Sequence, residues 1–432
     1  MKTRIVVIGG GAGGLELMSR LGRSIGKSGQ ADLTLVDGNA THVWKPLYHE
    51  LATGTLNSNL DEVSFQGHAS NHHYRFVRGF MAGLDREARQ VQLAPLLDDQ
   101  GETILPSRVV EYDYLVIALG SVANDFGIEG VAEHCHFIDT AQQARRFRDR
   151  MLDTFLRINN VGGGEQPKLT VNIVGGGATG VEVAAELTRA ADMLHKYGYT
   201  DLEHSRLHIR LIEMNERILP PLSEKVSRSA HQDLEKLDID VITNTSVKEV
   251  TATGLYTDSD EFLPADLSIW AAGIKAPDFL AELGLSVDEK SQAINVHQTL
   301  QSIDDERVFA LGDCAACPQG EDGRSPPTAQ SARQQAKHLA KMLPKLLNGE
   351  GIENFEFRDR GSLVAIADYD AVGRLGSGLA KRGVFVEGLL ARFAYASLYR
   401  MHQITIHGFS RTLMTMIADS FNYYLKPRMK LH

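Results

Sequence analysis

The sequence is poor in cysteine, with three in 432 residues. That number excludes a disulfide framework and suits a reducing compartment. An uninterrupted apolar run of about 18–20 residues is also missing, so no transmembrane helix is expected. Basic charge is not in excess: the formal net charge is −10, which argues against a nucleic-acid partner. Nor does the composition carry the polar bias of disorder. At 43% hydrophobic and 23% charged residues the chain reads as folded and globular, of a length that suits two to three domains. The first apolar strand is expected from about Thr3, which leaves no room for a signal peptide.

What is present is one pattern written twice. "RIVVI" is a short β-branched run of the kind found in buried parallel strands. It leads into Gly9, Gly11 and Gly14, spaced G-x-G-x-x-G. The first glycine permits a tight turn, the second lets backbone approach a pyrophosphate, and the third lets the helix pack close to the sheet. The unpaired N–H groups at the helix start suit a phosphate anion. A second strand, "LTLVD", ends in Asp37, whose carboxylate can accept ribose hydroxyls. The second copy runs from "LTVNIV" through Gly175, Gly177 and Gly180 to "LHIRLIE", ending in Glu213. An acid at that strand end would repel a 2′-phosphate, which favours NADH over NADPH.

A lone glycine fingerprint is weak, but two full units in one chain point to two dinucleotides. FAD as the resident and NADH as the visitor is the usual pairing. "YDYLVIALGS", with Ala118 and Gly120, and "ADLSIWAAGI", with Ala272 and Gly273, each read as the closing strand of one unit. Their small residues permit close approach to a cofactor. "ERVFALGDCAA" is a third such strand, and its Asp313 could hold a ribitol hydroxyl of the flavin. The expected fold is α/β, with two Rossmann-like dinucleotide-binding domains and a C-terminal membrane-associating segment. The expected bounds are 1–125 and 295–350 for a discontinuous FAD-binding domain, 126–294 for the NADH-binding domain and 351–432 for the C-terminal segment.

The run of "GGGAGGLE", "HVWKPLYHELATG", "VGGGATGVEVAAEL", "WAAGIKAP", "ALGDCA" and "AQSARQQA" resembles the type II NADH dehydrogenases. These are the single-chain, non-pumping NADH:quinone oxidoreductases of bacterial membranes. "LYRMHQITIHG" is similar to the proteobacterial members. The resemblance covers essentially the whole chain. It implies noncovalent FAD at Gly9, Gly11, Gly14, Asp37 and Asp313, and NADH at Gly175, Gly177, Gly180 and Glu213, with "AAGIKA" near the nicotinamide. It also implies a quinone site, for ubiquinone or menaquinone, on the other side of the flavin ring.

Glu182 follows the third glycine of the second unit. The resemblance places it near flavin and nicotinamide, where it would orient the nicotinamide or relay protons towards the quinone. The competing reading is an acid stabilised by the helix dipole. Gln330 and Gln334 follow "SPPT", a helix-start signal, and their i, i+4 spacing puts both on one face. On pattern alone they are surface glutamines, whereas the resemblance makes them quinone hydrogen-bonding residues. In "HVWKPLYHELATG", Pro46 and Leu47 can pack on the flavin edge. Lys45, His49 and Glu50 are acid–base candidates, with loop or salt-bridge roles equally open. Cys314 and Cys317 form a C-x-x-C. With Cys135 the only other cysteine, a four-cysteine zinc site is excluded, no metal site is expected, and the pair reads as structural.

From Lys381 the balance of charge reverses. Eight basic residues meet only Glu387 and Asp419. "FVEGLLARFAYASLYRMHQI" and "FSRTLMTMIADSFNYYL" show near-helical apolar spacing with tyrosines and spaced arginines, which suits helices lying in an anionic membrane interface. The competing reading is a helical pair packed on the body or on a second subunit, as in a homodimer. "GSLVAIADYDAVGRLGSG" reads as a hairpin joining tail to body. The expected location is peripheral, on the cytoplasmic face of the bacterial inner membrane. Alternatives kept open are a sulfide:quinone reductase-like flavoenzyme, a soluble NADH reductase serving a redox protein, and an NADH-sensing FAD protein with little turnover.

Overall fold

The computed structural model describes residues 2–56, 62–98, 100–160, 168–196, 207–320, 323–366, 370–375 and 384–425. The chain forms two compact units. The first comprises Met1–Trp44, Glu62–Val122 and Ile274–Phe357, and the second Lys45–Asp61, Ala123–Gly273 and Arg358–His432.

Only the elements that build the two sheets and the tail are numbered here, in chain order. The first unit opens with β1 (Thr3–Ile8), α1 (Ala12–Leu21) and β2 (Ala31–Asp37). The second unit then takes the short α2 (Tyr48–Thr53). The chain returns to the first unit for β3 (Arg75–Arg78) and β4 (Tyr114–Ile117). Next, in the second unit, come β5 (Cys135–His136), α3 (Ala141–Asn160), β6 (Leu169–Val174), α4 (Ala178–Lys196), β7 (Leu207–Ile212), α5 (Glu224–Lys236), β8 (Ile239–Ile242) and β9 (Leu267–Trp270). Strand β10 (Val308–Ala310) and helix α6 (Ala329–Leu347) complete the first unit.

The sheet of the first unit has the order β10-β4-β1-β2-β3, with every pair parallel. Its strands are continuous apolar runs because both faces are covered: Ile5, Val7, Leu35 and Leu115 are fully enclosed. The sheet of the second unit repeats the arrangement as β5-β9-β6-β7-β8, again all parallel. Beside its strand ends, Val174, Ile212, Val247, Val250, Leu255 and Trp270 form one apolar cluster. The two sheets differ in the source of one edge. In the first unit it is β10, from late in the chain, and in the second β5, which precedes the glycine turn.

The second unit ends in an antiparallel sheet of β11 (Gly361–Ile366), β12 (Asp370–Leu375) and β13 (Val384–Glu387). The expected hairpin is therefore present, with a third strand added. The apolar spacing predicts a helix from Phe385 onward, but the helix begins later. Phe385–Glu387 pair with β12, because the β-branched alternation Val384, Val386 fits a pleat. Helices α7 (Gly388–His407) and α8 (Phe409–Leu425) follow. On α8, Phe409, Leu413, Met414, Ile417 and Phe421 are exposed along one stripe, and Leu390 and Phe393 are exposed on α7. Arg400 ties the two helices through Asp419 at 2.9 Å. Of the expected basic residues, Lys381, Arg382, Lys426, Arg428 and Lys430 lie outside the described residues. Among the described residues no helix is long and apolar enough to cross a membrane.

Candidate active site

In the first unit the turn after β1 puts Gly9 at φ +99°. A side chain there would also collide with the Ala118 carbonyl. At Gly14 a Cβ would overlap the Gly9 carbonyl oxygen, so the helix can approach the strand only as glycine. Beside Gly11, by contrast, nothing lies within 4 Å, and no side chain caps the start of α1. The helix N-terminus thus opens onto free space, which fits a pyrophosphate. Asp37 closes the turn. Its Oδ2 accepts from the Gly10 N–H at 2.7 Å, and its Oδ1 accepts from the N–H and Nδ2 of Asn39 at 2.7 and 3.0 Å. Burial raises its pKa, and these bonds pull against that rise. Each oxygen keeps acceptor capacity for a ribose hydroxyl. Gly120 is left-handed at φ +70° with open space beside it. Asp313 is held by the Ser121 hydroxyl at 2.8 Å.

The second unit builds the same turn. Gly175 has φ +109° and lies against Ala271 and Ala272, Gly180 against the Gly175 carbonyl, and nothing stands within 4 Å of Gly177. Glu213 Oε2 accepts from the Gly176 N–H at 2.7 Å, and Oε1 accepts from the N–H and Nδ2 of Asn215 at 2.9 and 2.5 Å. The acid-x-Asn pair that recurs at Asp37–Asn39 and Glu213–Asn215 is visible in the sequence, yet the glycine spacing alone does not point to it. Gly273 is left-handed, and the exposed Phe126 ring occupies the place of its missing side chain.

Glu182, on α4, sits in a buried cluster of the second unit. Its Oε1 accepts from the Ala365 N–H of β11 at 3.2 Å, and its Oε2 lies 3.5 Å from His49 Nδ1 of α2. The Tyr395 hydroxyl of α7 is enclosed beside the same carboxyl with no hydrogen bond of good geometry. Burial, with Glu50 and Glu186 adding repulsion, raises the Glu182 pKa to about 8. Burial and nearby Arg189 lower that of His49 to about 4. Both side chains are therefore neutral near pH 7. Glu186, one turn along, accepts from Arg189 at 2.7 Å and from the Thr55 hydroxyl. Of this group only Glu182, His49 and Glu50 stood out in the sequence. Glu186, Arg189 and Thr55 did not, since no spacing rule joins distant segments, and Tyr395, expected as a ring in the membrane interface, is instead enclosed beside Glu182.

Other candidates fall as follows. Lys45 Nζ is 3.9 Å from Asp139, and the Pro46 carbonyl accepts from the His49 ring. Helix α6 starts at the Thr328 cap, whose hydroxyl accepts from the Ser331 N–H at 3.2 Å. Gln330 and Gln334 do share one face, 3.4 Å apart by their amides. The neighbour that sequence reasoning missed is Gln335, buried, which accepts from the Gly312 N–H at 2.7 Å and so fixes the turn carrying Asp313. Cys314 and Cys317 are buried free thiols, and burial pushes both up to about 11. Among the described residues no three His, Cys, Asp or Glu side chains converge on a metal position.

Residues 3–336 match the family described as pyridine nucleotide-disulphide oxidoreductase. A Haemophilus influenzae protein called type II NADH:quinone oxidoreductase is 40% identical over 99% of both chains. A Staphylococcus aureus protein of the same description is 30% identical, over 86% of this chain and 89% of its own. Among solved structures, NDH2 from Plasmodium falciparum in complex with NADH superimposes with a TM-score of 0.82 at 21% identity over the full length of both chains. The sulfide:quinone oxidoreductase of Aquifex aeolicus reaches 0.71 at 18% identity, covering 94% of this chain and 92% of its own. At such identities these structures speak for the fold. With sequence matches of this extent, the chain belongs to the type II NADH:quinone oxidoreductases, within the pyridine nucleotide-disulphide oxidoreductase family.

Proposed function

We propose that this chain binds FAD noncovalently, oxidises NADH and reduces a membrane quinone by two electrons, without pumping protons. The observation that carries the reading is the duplicated turn. Both copies have an acid that accepts from the N–H of the residue between the first two fingerprint glycines, Gly10 and Gly176, and both have empty space beside the second fingerprint glycine. FAD, when bound there, would supply the redox chemistry between NADH and the quinone.

The chain's own residues bind, orient and supply protons. The first unit is assigned to FAD, with Gly9, Gly11 and Gly14 admitting the pyrophosphate, Asp37 the ribose and Asp313 the ribitol chain. Ala118 and Gly120 belong to the same cofactor surface, and Lys45 and Pro46, from the segment that follows Asp37 in the sequence, are also assigned to the cofactor. In the second unit Gly175, Gly177, Gly180 and Glu213 receive NADH, with Ala272 and Gly273 near its nicotinamide. Glu182, protonated at neutral pH, donates a proton to a quinone oxygen, and the Gln330 and Gln334 amides hydrogen-bond the quinone. The exposed stripe of α8 lies in an anionic lipid surface, on the cytoplasmic face of a bacterial inner membrane, and the tail can also join two copies as a homodimer. Thiol-based sulfide oxidation is disfavoured, because it needs thiolates and burial raises all three thiols, Cys135 to about 12.

The test is a two-step titration of the purified protein. NADH added without oxygen should bleach a bound flavin that acid later releases intact. A soluble quinone analogue should then restore the colour. A protein that takes up no flavin, or that consumes NADH no faster when quinone is present, refutes the reading.

A further inference from the structure

We propose that protons reach Glu182 from Glu50 through the His49 imidazole, so that helix α2 carries the proton inlet of the active site. The inference rests on the reading that Glu182 serves the quinone. The two nitrogens of His49 face different carboxyl groups. Nδ1 lies 3.5 Å from Glu182 Oε2, and Nε2 lies 3.9 Å from Glu50 Oε1. A single ring therefore addresses both acids. Exposure suits an entry at Glu50: the side chains of Glu182, His49 and Glu50 are 11%, 6% and 26% exposed. Glu50 is the wettest of the three, and the ring between the two acids is the most enclosed.

The surroundings leave this route and close others. The second oxygen of Glu182 is occupied by the Ala365 N–H, so Oε2 is the one that meets the ring. Glu186 is tied to Arg189 and Thr55, so its Oε1 is already engaged away from the ring. Tyr395 has its pKa raised well above the ordinary value by burial and by the adjacent carboxyls, so it can donate a hydrogen bond but not release its proton. Because His49 and Glu182 are both neutral near pH 7, no stable imidazolium–carboxylate pair traps the proton part-way.

The transfer balances without electrons. Glu182 gives up its carboxyl proton, and the resulting carboxylate takes the Nδ1 proton as an N–H bond breaks and an O–H bond forms. The ring takes a proton at Nε2 from the Glu50 carboxyl, and water reprotonates Glu50. The ring is left as the Nε2–H tautomer, and it returns to the Nδ1–H form when a water donates a proton to Nδ1 and accepts the one on Nε2, with no net proton gained or lost. The two gaps exceed hydrogen-bond length. A bridging water or a small side-chain rotation closes each one.

The test reads the carboxyl itself. In the oxidised flavoprotein without NADH, the protonated Glu182 gives an infrared C=O band, identified by its loss in Glu182→Gln. After transfer to heavy water the band shifts as the proton exchanges. His49→Gln and Glu50→Gln should each slow that exchange by at least about ten-fold, in line with loss of a positioned proton carrier. They should also slow recolouring of reduced protein by quinone, with a larger solvent isotope effect. Exchange at the wild-type rate in His49→Gln overturns the inlet. If His49→Gln loses its flavin, Glu50→Gln decides, since it alters only the wetter end, and unchanged exchange there overturns it equally. Slowed exchange with an unaltered quinone step upholds the inlet and removes Glu182 from the quinone reaction instead.

Discussion

A carboxyl that stays protonated in the folded protein costs stability wherever the unfolded chain would ionise it. For Glu182 that window runs from the ordinary value of 4.5 to about 8. Below it both states hold the proton and nothing is lost. As pH rises through it, the unfolded state releases the proton first, so folding stability falls by up to about 1.4 kcal/mol per pH unit. Glu182→Gln removes that slope. Thermal unfolding should find the variant and the parent close at pH 5 and the variant the more stable at pH 8. Equal pH dependence would show that the carboxyl ionises normally. Glu213 is the acceptor for the turn, and in the proposed reading it is also the acid that repels a 2′-phosphate. Glu213→Gln keeps an acceptor for the Gly176 N–H and drops the charge. The ratio of kcat/KM for NADH over NADPH should fall by about ten-fold or more, since a removed like charge is worth at least about 1.4 kcal/mol in a buried site. The sequence shows Glu182 because it sits at a fixed offset from a glycine turn. His49 and Tyr395 cannot be tied to it by any such rule, for only the folded chain joins residues separated by well over a hundred positions.

At the scale of the element, the glycines of one turn should separate by substitution. Gly14→Ala places a Cβ on the Gly9 carbonyl oxygen, and the helix cannot retreat without uncovering enclosed residues such as Leu15 and Leu17. It should unfold earlier, by a margin in the range of about 1–3 kcal/mol given for overpacking, whether or not flavin is present. Gly11→Ala meets no protein atom within 4 Å, so the apoprotein should melt as the parent does while flavin occupancy falls. Melting curves with bound-flavin absorbance check both. The turns were legible because each needs several residue types at fixed offsets beside a β-branched run. The edge strand β10 was legible for the same reason, as an apolar run ending in Gly312 and Asp313. The start of the tail was not. Val384–Glu387 alternate as a strand, but the helical period of the following residues overlaps them, and only the ladder with Asp370–Leu375 decides the matter.

For the molecule as a whole, the proposed lipid contact rests on the exposed stripe of α8. Burying a phenylalanine or methionine side chain contributes about 1.5–3 kcal/mol. Phe409→Ser combined with Met414→Ser should therefore lower partitioning onto anionic vesicles by at least about ten-fold, read by co-sedimentation. High salt should weaken the parent's binding only in part, because an apolar contribution persists when charge is screened. The order of the strands has a different outcome. Strand β10 and helix α6 are the last pieces of the first sheet and its α1 packing partner. They leave the ribosome after the segment Ala123–Gly273 has been made. At a synthesis rate of about 5–20 residues per second, the nascent first turn waits on the order of tens of seconds with the flank of β4 uncovered. Leu115, Val116 and Ile117, enclosed in the finished protein, are open to chaperones for that time. Flavin loading is thereby a late event in biogenesis, and chains stalled before codon 308 should accumulate as colourless, aggregation-prone fragments.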